Sequence, residues 1–316
     1  MTKILITDIA WPDLLIEEEI LKQAQAQPVL APDTDERTLV RAAADCSAIM
    51  TCWAQTTAEV MDACKECRIV ARYGIGLDNI DVAHCTKQGI PVTNVPDYCV
   101  GEVADHTLAL LLALARKISF SDSQIKAGRY DRQAGYPMNR LSDKTLGIIG
   151  FGKIGREVAR RAQAFGIKVV VHSRSLTAVK AAEQHVRSVP LEVLLSQSDF
   201  ISLHLPLSKD TSHLLGKNEF DIMKSGTFLI NTARGGLIDH DALLEALNSG
   251  QLRSAALDVT DPEPLSHDHP LVVHERVIQT PHAAFVSEES VAELRTRTAK
   301  EVVRALKGIP LQHRVN

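Results

Sequence analysis

Arg234, Glu263 and His282 are of the residue types that anchor a carboxylate, orient an imidazole and pass a proton. Each follows an apolar run that reads as a β-strand. In Asn231-Thr232-Ala233-Arg234-Gly235-Gly236 a guanidinium stands where the chain leaves a strand, and there it can grip a carboxylate with two parallel hydrogen bonds. Ala256 to Pro264 puts Asp258 and Glu263 after the next strand, and Thr280-Pro281-His282-Ala283-Ala284 puts a histidine after the last. Taken singly, these also fit a surface ion pair, a solvated turn and a loop histidine. Taken together beside a nicotinamide, they are the anchor, orienter and proton donor that hydride transfer to a 2-keto acid requires.

A nicotinamide site is suggested by Leu146 to Gly155, where an apolar strand meets Gly150-Phe151-Gly152-Lys153-Ile154-Gly155 and passes into a helix. At this spacing the first glycine permits a tight turn, the second lets a pyrophosphate approach the backbone, and the third lets helix pack on strand. The unpaired N–H groups of the helix start then face the phosphates. A free ribose 2′-hydroxyl calls for an acid about twenty residues further on. The chain instead reads Val171-His172-Ser173-Arg174-Ser175. Ser173 and Arg174 suit a 2′-phosphate, so NADP(H) is expected over NAD(H), the alternative being that Arg174 is a solvated surface charge. Tyr73 to Asp81 carries Gly74-Ile75-Gly76 after another strand; its N–H groups suit a small anion such as a carboxylate, and the stretch equally fits a plain strand-to-helix turn.

These groups need a scaffold of strand ends. A chain of 316 residues suggests about two domains. From residue 3 to about 95, strand-like runs (Lys3 to Thr7, Ala48 to Thr51, Ile69 to Tyr73) alternate with helical ones, which implies a parallel sheet. A helix apolar almost all round starts at Cys99 and must be buried; His106 on it reads as a hydrogen-bonded structural residue. Beyond Leu146, strands are expected at Lys168 to His172, Phe200 to Leu205, Thr227 to Asn231, Ser254 to Val259 and Val277 to Thr280, and a last helix at Glu288 to Lys307. The fold class is therefore α/β, with two doubly wound parallel sheets.

Composition narrows the partners. With 45% apolar and 23% charged residues, a net charge of −4 and no basic block, the chain has no electrostatic footprint for nucleic acid or an anionic membrane. The N-terminus lacks a signal peptide's apolar core, and the longest apolar tract, Leu108 to Ala115, is too short to span a bilayer, so a cytoplasmic location is expected. Six scattered cysteines are expected as thiols. Cys64 and Cys67 have C-x-x-C spacing without a second pair, so no metal is expected.

Five ordered stretches (Arg72 to Asp81, Leu146 to Gly155, Asn231 to Asp239, Ala256 to Pro264, Thr280-Pro281-His282) make the chain resemble the D-isomer-specific 2-hydroxyacid dehydrogenases over nearly its whole length. Asn94-Val95-Pro96, Glu102 to His106 and Thr280 to Ala284 look closest to the branch holding phosphoglycerate dehydrogenases and C-terminal-binding-protein-like dehydrogenases. The resemblance implies a Rossmann-type cofactor domain, residues 100–287, inserted into a flavodoxin-like substrate domain, residues 1–99 and 288–316. It implies His282 as general acid and base, Glu263 as its hydrogen-bond partner, and Arg234 with the backbone of Ile75 and Gly76 on the substrate carboxylate. Asp258 is implied at the nicotinamide carboxamide, and Pro206, Thr211, Thr232, Ala233 and Ala284 along the cofactor.

The implied activity is reduction of a small 2-keto acid, such as glyoxylate or hydroxypyruvate. A homodimer is also implied, through Cys99 to Ser119 and the segment before Lys144. The alternative within the resemblance is a dinucleotide-sensing binding protein of the C-terminal-binding-protein type; formate dehydrogenases are disfavoured, since glutamine there replaces the acid matching Glu263. Two departures stand out: Ala284 where the family often has glycine, and no acid near Ser173.

Overall fold

The computed structural model describes every residue except Tyr136. The chain divides into two compact units, Met1–Tyr98 with Ser287–Asn316, and Cys99–Val286. The first is built on β1 (Thr2–Ile6), β2 (Ala26–Leu30), β3 (Ala48–Thr51), β4 (Val70–Arg72) and β5 (Val92–Thr93), in the order β2-β1-β3-β4-β5. All neighbours are parallel, with Leu5 opposite Val29 on one side and Ile49 on the other. The order reverses between β1 and β3, and open α/β sheets bind ligands beyond the carboxyl ends at such a point. β3 and β4 are buried along their whole length, as continuous runs in a covered parallel sheet must be. The edge strand β2 tolerates Pro28, which has no N–H for the ladder.

The C-terminal helix, Glu288–Leu306, belongs to this unit and is tied to it by charge. Glu17 is fully buried, and its carboxylate accepts Arg295 Nε at 3.0 Å, Arg295 Nη2 at 2.7 Å and the Tyr73 hydroxyl at 3.2 Å. Arg295 also reaches Asp13 at 2.9 Å and lies over the Trp11 ring. A buried carboxylate is tolerated only when so paired.

The second unit holds β6 (Thr145–Ile149), β7 (Lys168–His172), β8 (Arg187–Ser188), β9 (Phe200–Leu203), β10 (Thr227–Asn231), β11 (Leu252–Leu257) and β12 (Val277–Gln279), in the order β12-β11-β10-β9-β6-β7-β8. Every pair is parallel. This is the doubly wound dinucleotide-binding order with one strand added, its reversal lying between β6 and β9. Leu108, Leu111, Val158 and Ala162 from the helices Val100–Arg116 and Lys153–Ala164 join Leu146, Ile148 and Val171 in one core cluster. Leu194, Leu243 and Leu247 join Ile149, Ile201 and Leu229 in another.

The apolar helix expected from Cys99 is Val100–Arg116, and a second helix follows it directly. Lys117 adopts a left-handed φ of +50°, which ends the first, and the second, Ile118–Lys126, buries none of its residues within the chain. The segment expected at a dimer interface before Lys144 includes Tyr136, which lies outside the described residues. All six cysteines are free thiols; Cys64 Sγ donates to the Cys46 carbonyl at 2.9 Å. Among the described residues no helix is long and apolar enough to cross a membrane.

Candidate active site

At the end of β6 the three glycines answer three different constraints. Gly150 has φ +92°, and a Cβ there would overlap the His204 carbonyl. A Cβ on Gly155 would overlap the Gly150 carbonyl oxygen, so helix and turn meet backbone to backbone. Gly152, the N-terminal cap of Lys153–Ala164, has nothing within 4 Å of its would-be Cβ. That open backbone, with helix-start N–H groups behind it, fits a pyrophosphate. Phe151 is buried under the turn, Ile154 packs into the core and Lys153 is exposed. His204, whose carbonyl abuts Gly150, bonds Ser202 Oγ at 2.8 Å, and burial pushes its pKa down to about 3.

Past β7, Ser173 Oγ lies 3.4 Å from Ser175 Oγ, and Arg174 extends into solvent. Its Nη1 stands 3.8 Å from Asp210 Oδ2, each side chain about four-fifths exposed, a pair of little energetic weight. Asp210 sits in the turn that Thr211 closes: Thr211 Oγ1 donates to the Pro206 carbonyl and accepts from Ser208 N, both at 2.8 Å.

Past β10, Asn231 shapes the loop of Arg234. Its side chain accepts Ala233 N at 3.0 Å and donates to the Arg234 carbonyl at 2.8 Å, while Arg234 Nη1 donates to the Ala233 carbonyl at 2.7 Å. Thr232 is pinned through its hydroxyl to Thr107 at 2.9 Å. Gly235 lies so close to the Thr260 backbone that a Cβ would overlap it, which presses the Arg234 loop against the segment leading to Glu263.

His282 Nδ1 lies 2.6 Å from Glu263 Oε1. His282 is held at φ +51° by its N–H, which donates to the carbonyls of Asp258 at 2.8 Å and Thr280 at 3.0 Å. The loop around it is framed by Asp258, only 2% exposed. That carboxylate accepts the Thr280 hydroxyl at 2.5 Å and the N–H groups of Ala283 and Ala284 at 2.9 Å each. His106 Nε2 adds a hydrogen bond to Thr280 Oγ1 at 3.0 Å and stands 3.6 Å from Asp258. The structural reading of His106 thus agrees with its contacts. Sequence reasoning missed the framing by Asp258, Thr280 and Asn231; the only local signal was a short polar side chain at a strand end.

In the first unit, the carbonyls of Gly74, Ile75 and Gly76 accept from Val95 N, Asn94 Nδ2 and Arg72 Nε. The N–H groups of Ile75 and Gly76 have no protein acceptor among the described residues, which leaves them available to an anion. Arg72 is 7% exposed and its guanidinium donates to the carbonyls of Thr51, Tyr73 and Gly76.

Fold and site together define a class, the two-unit α/β dehydrogenases with a dinucleotide-binding half. Residues 108–284 match the family model for the NAD binding domain of D-isomer specific 2-hydroxyacid dehydrogenases. A glyoxylate reductase of Korarchaeum cryptofilum is 38% identical over 278 residues, covering 86% of this chain and 83% of that protein. A D-3-phosphoglycerate dehydrogenase of Archaeoglobus fulgidus is 39% identical over 259 residues, covering 82% of this chain and 49% of that protein, so the chain spans about half the length of this relative. The crystal structure of the TT0316 protein from Thermus thermophilus superposes with a TM-score of 0.91 at 32% identity, each chain covered completely. The chain belongs to the D-isomer-specific 2-hydroxyacid dehydrogenase family.

Proposed function

We propose that the protein reduces a small 2-keto acid, such as glyoxylate or hydroxypyruvate, to the D-2-hydroxy acid with NADPH. The observation that carries this reading is the 2.6 Å contact of His282 Nδ1 with Glu263, in a loop beside the Arg234 loop and in the same unit as the Gly150 turn. Arg234 holds the substrate carboxylate, and the amides of Ile75 and Gly76 suit an anion of the same kind. Gly150 to Gly155 would hold the cofactor, which when bound would supply the hydride. His282 Nε2 gives its proton to the carbonyl oxygen, and Glu263 steadies the charged ring by a charge-assisted hydrogen bond. In the reverse direction His282 takes the hydroxyl proton back.

Ser173 and Arg174 support the NADP(H) preference: a 2′-phosphate offers Arg174 a stronger partner than Asp210 at 3.8 Å. The helix Ile118–Lys126, none of whose residues is buried within the chain and whose Ile118 and Ile125 are more than half exposed, supports a homodimer. NADPH and NADH oxidation across a panel of 2-keto acids tests the whole reading. Turnover with NADPH and one small keto acid is expected, reduced about 10²–10⁴-fold in His282→Ala. A clear NADH preference would remove the cofactor assignment, and failure with every keto acid would leave a dinucleotide-sensing binding protein.

A further inference from the structure

Cys64-Lys65-Glu66-Cys67 takes no part in the keto acid chemistry, yet its two thiols are set side by side. Cys64 ends the helix Ala58–Ala63, its N–H donating to the Met61 carbonyl at 3.1 Å, and Cys67 N then donates to the Cys64 carbonyl at 3.0 Å. Residues 64–67 are thus a β-turn with Lys65 and Glu66 at its corners. The ends of a β-turn lie within about 7 Å, and a disulfide joins Cα atoms about 4.4–6.8 Å apart, so the backbone already holds a span that a disulfide can cross. The two side chains also lie within hydrogen-bond reach of each other.

The surroundings of the two sulfurs differ. Cys46, Cys52, Cys64, Cys85 and Cys99 are buried, whereas Cys67 is partly exposed. Cys64 Sγ is turned inward and donates to the Cys46 carbonyl at 2.9 Å, while Cys67 Sγ makes a long contact, 3.6 Å, with the Ile69 carbonyl. The Cys64 thiol beside it holds the Cys67 thiol below its ordinary pKa. Burial pushes Cys46 up to about 11, and Cys52 and Cys85 up to about 12. The thiolate is the reactive form, so reactivity and access coincide at Cys67.

Among the described residues no group of three or more His, Cys, Asp or Glu is placed to hold a metal ion, so the chemistry open to the pair is that of a dithiol. Past the turn, Arg68 N donates to the Ser47 carbonyl at 2.8 Å and β4 begins at Val70. The turn therefore lies at the amino end of β4, and the loop of Ile75 and Gly76 lies beyond its carboxyl end.

We propose that Cys64 and Cys67 are a reversible dithiol–disulfide pair, oxidised by hydroperoxides and restored by soluble dithiols, with Cys67 meeting the oxidant and Cys64 closing the bond. The Cys67 thiolate attacks one oxygen of the hydroperoxide: an S–O bond forms, the O–O bond breaks, and the departing oxyanion takes up the proton that Cys67 released. Cys64 Sγ then attacks the Cys67 sulfenic sulfur. An S–S bond forms, the S–O bond breaks, and hydroxide leaves with the Cys64 proton as water. Each sulfur loses one electron and the peroxide gains two. A soluble dithiol reverses the change by exchange, its own sulfurs ending as a disulfide and its protons on Cys64 and Cys67. None of this rests on the reductase reading, and its readouts are thiols and masses, not turnover.

The test treats the intact protein with a small excess of hydrogen peroxide near neutral pH and counts thiols after unfolding. Six thiols are expected before treatment, two fewer after it, and six again once a soluble dithiol is added. Trypsin cuts after Lys65 and Arg68, so the disulfide is expected to join residues 66–68 to the peptide that ends at Lys65 and carries Cys46, Cys52 and Cys64. Fragmentation is expected to place it on Cys64. Cys67→Ser is expected to slow thiol loss by about tenfold or more, because the remaining thiols are buried. Cys64→Ser is expected to stop at a Cys67 sulfenic acid that dimedone labels, a species that a merely structural role for the pair would not produce. Should a variant fail to fold, the thiol count and peptide map of the unaltered protein still decide. Six thiols surviving the peroxide, a disulfide on Cys46 or Cys52, or a bond between two chains overturns the proposal.

Discussion

Asp258→Asn separates framing of the His282 loop from contact with cofactor. The carboxylate meets three donors at once: Thr280 Oγ1 and Ala283 N on one oxygen, Ala284 N on the other. Asparagine has one oxygen and one NH2 group. If its oxygen keeps Thr280 and Ala283, its NH2 faces the Ala284 N–H, donor to donor. Losing a hydrogen bond to a charged acceptor costs about 1.5–3 kcal/mol, and stranding a buried donor about 1–3 more. With the residue 2% exposed, water cannot substitute, so about 3–5 kcal/mol of stability is expected to go, read as a lowered urea midpoint. Because the carboxylate fixes Thr280, Ala283 and Ala284 on either side of His282, kcat is expected to fall alongside, with cofactor affinity nearly unchanged. Wild-type stability combined with cofactor binding weakened about tenfold would refute this reasoning, and would mean that the carboxylate acts on the cofactor, as the family resemblance implies.

Three further outcomes rest on the same contacts. Gly150→Ala must accept a left-handed φ and a Cβ overlapping the His204 carbonyl, costing about 3 kcal/mol or more; Gly152→Ala, with open space around it, is expected to keep stability within about 0.5 kcal/mol while raising KM for the cofactor, and equal unfolding midpoints for the two variants would contradict the account. Desolvation holds the half-buried His204 at a pKa of about 3, so on acidification the unfolded chain takes up that proton first; stability from this group is complete above about pH 6.5 and falls by about 1.4 kcal/mol per unit towards pH 3, a slope that His204→Gln should remove in urea titrations at pH 7 and 5. Ile118→Asp with Ile125→Asp is expected to leave folding intact and halve the mass seen by light scattering; an unchanged mass would place any dimer contact elsewhere.

Much of the scaffold is local and could be read directly. β3, β7 and β10 are short, wholly or mostly buried runs bounded by polar turns, and the helix Leu191–Gln197 carries its own apolar spacing, so chain-neighbour patterns suffice to find them. The edge strands β2 and β8 escape because an edge needs no apolar run: β8 is two exposed residues, and β2 contains a proline. Nothing in Ala115-Arg116-Lys117-Ile118 announces the left-handed break, since lysine carries no turn preference of its own.

The chemistry divides in the same way. Residue types and strand ends alone marked Arg234, Glu263, His282 and the glycine turn, because the loop after a strand end is exposed to ligand and G-x-G-x-x-G encodes one local path of the backbone. Tertiary structure decided which groups do the holding. Asp258 meets Ala283 and Ala284 across 25 and 26 residues, Gly235 meets Thr260, and Asp8 closes a loop more than 40 residues away. Such pairings depend on how β10, β11 and β12, or β1 and β3, are set side by side, and a sequence records spacing along the chain but not across the sheet.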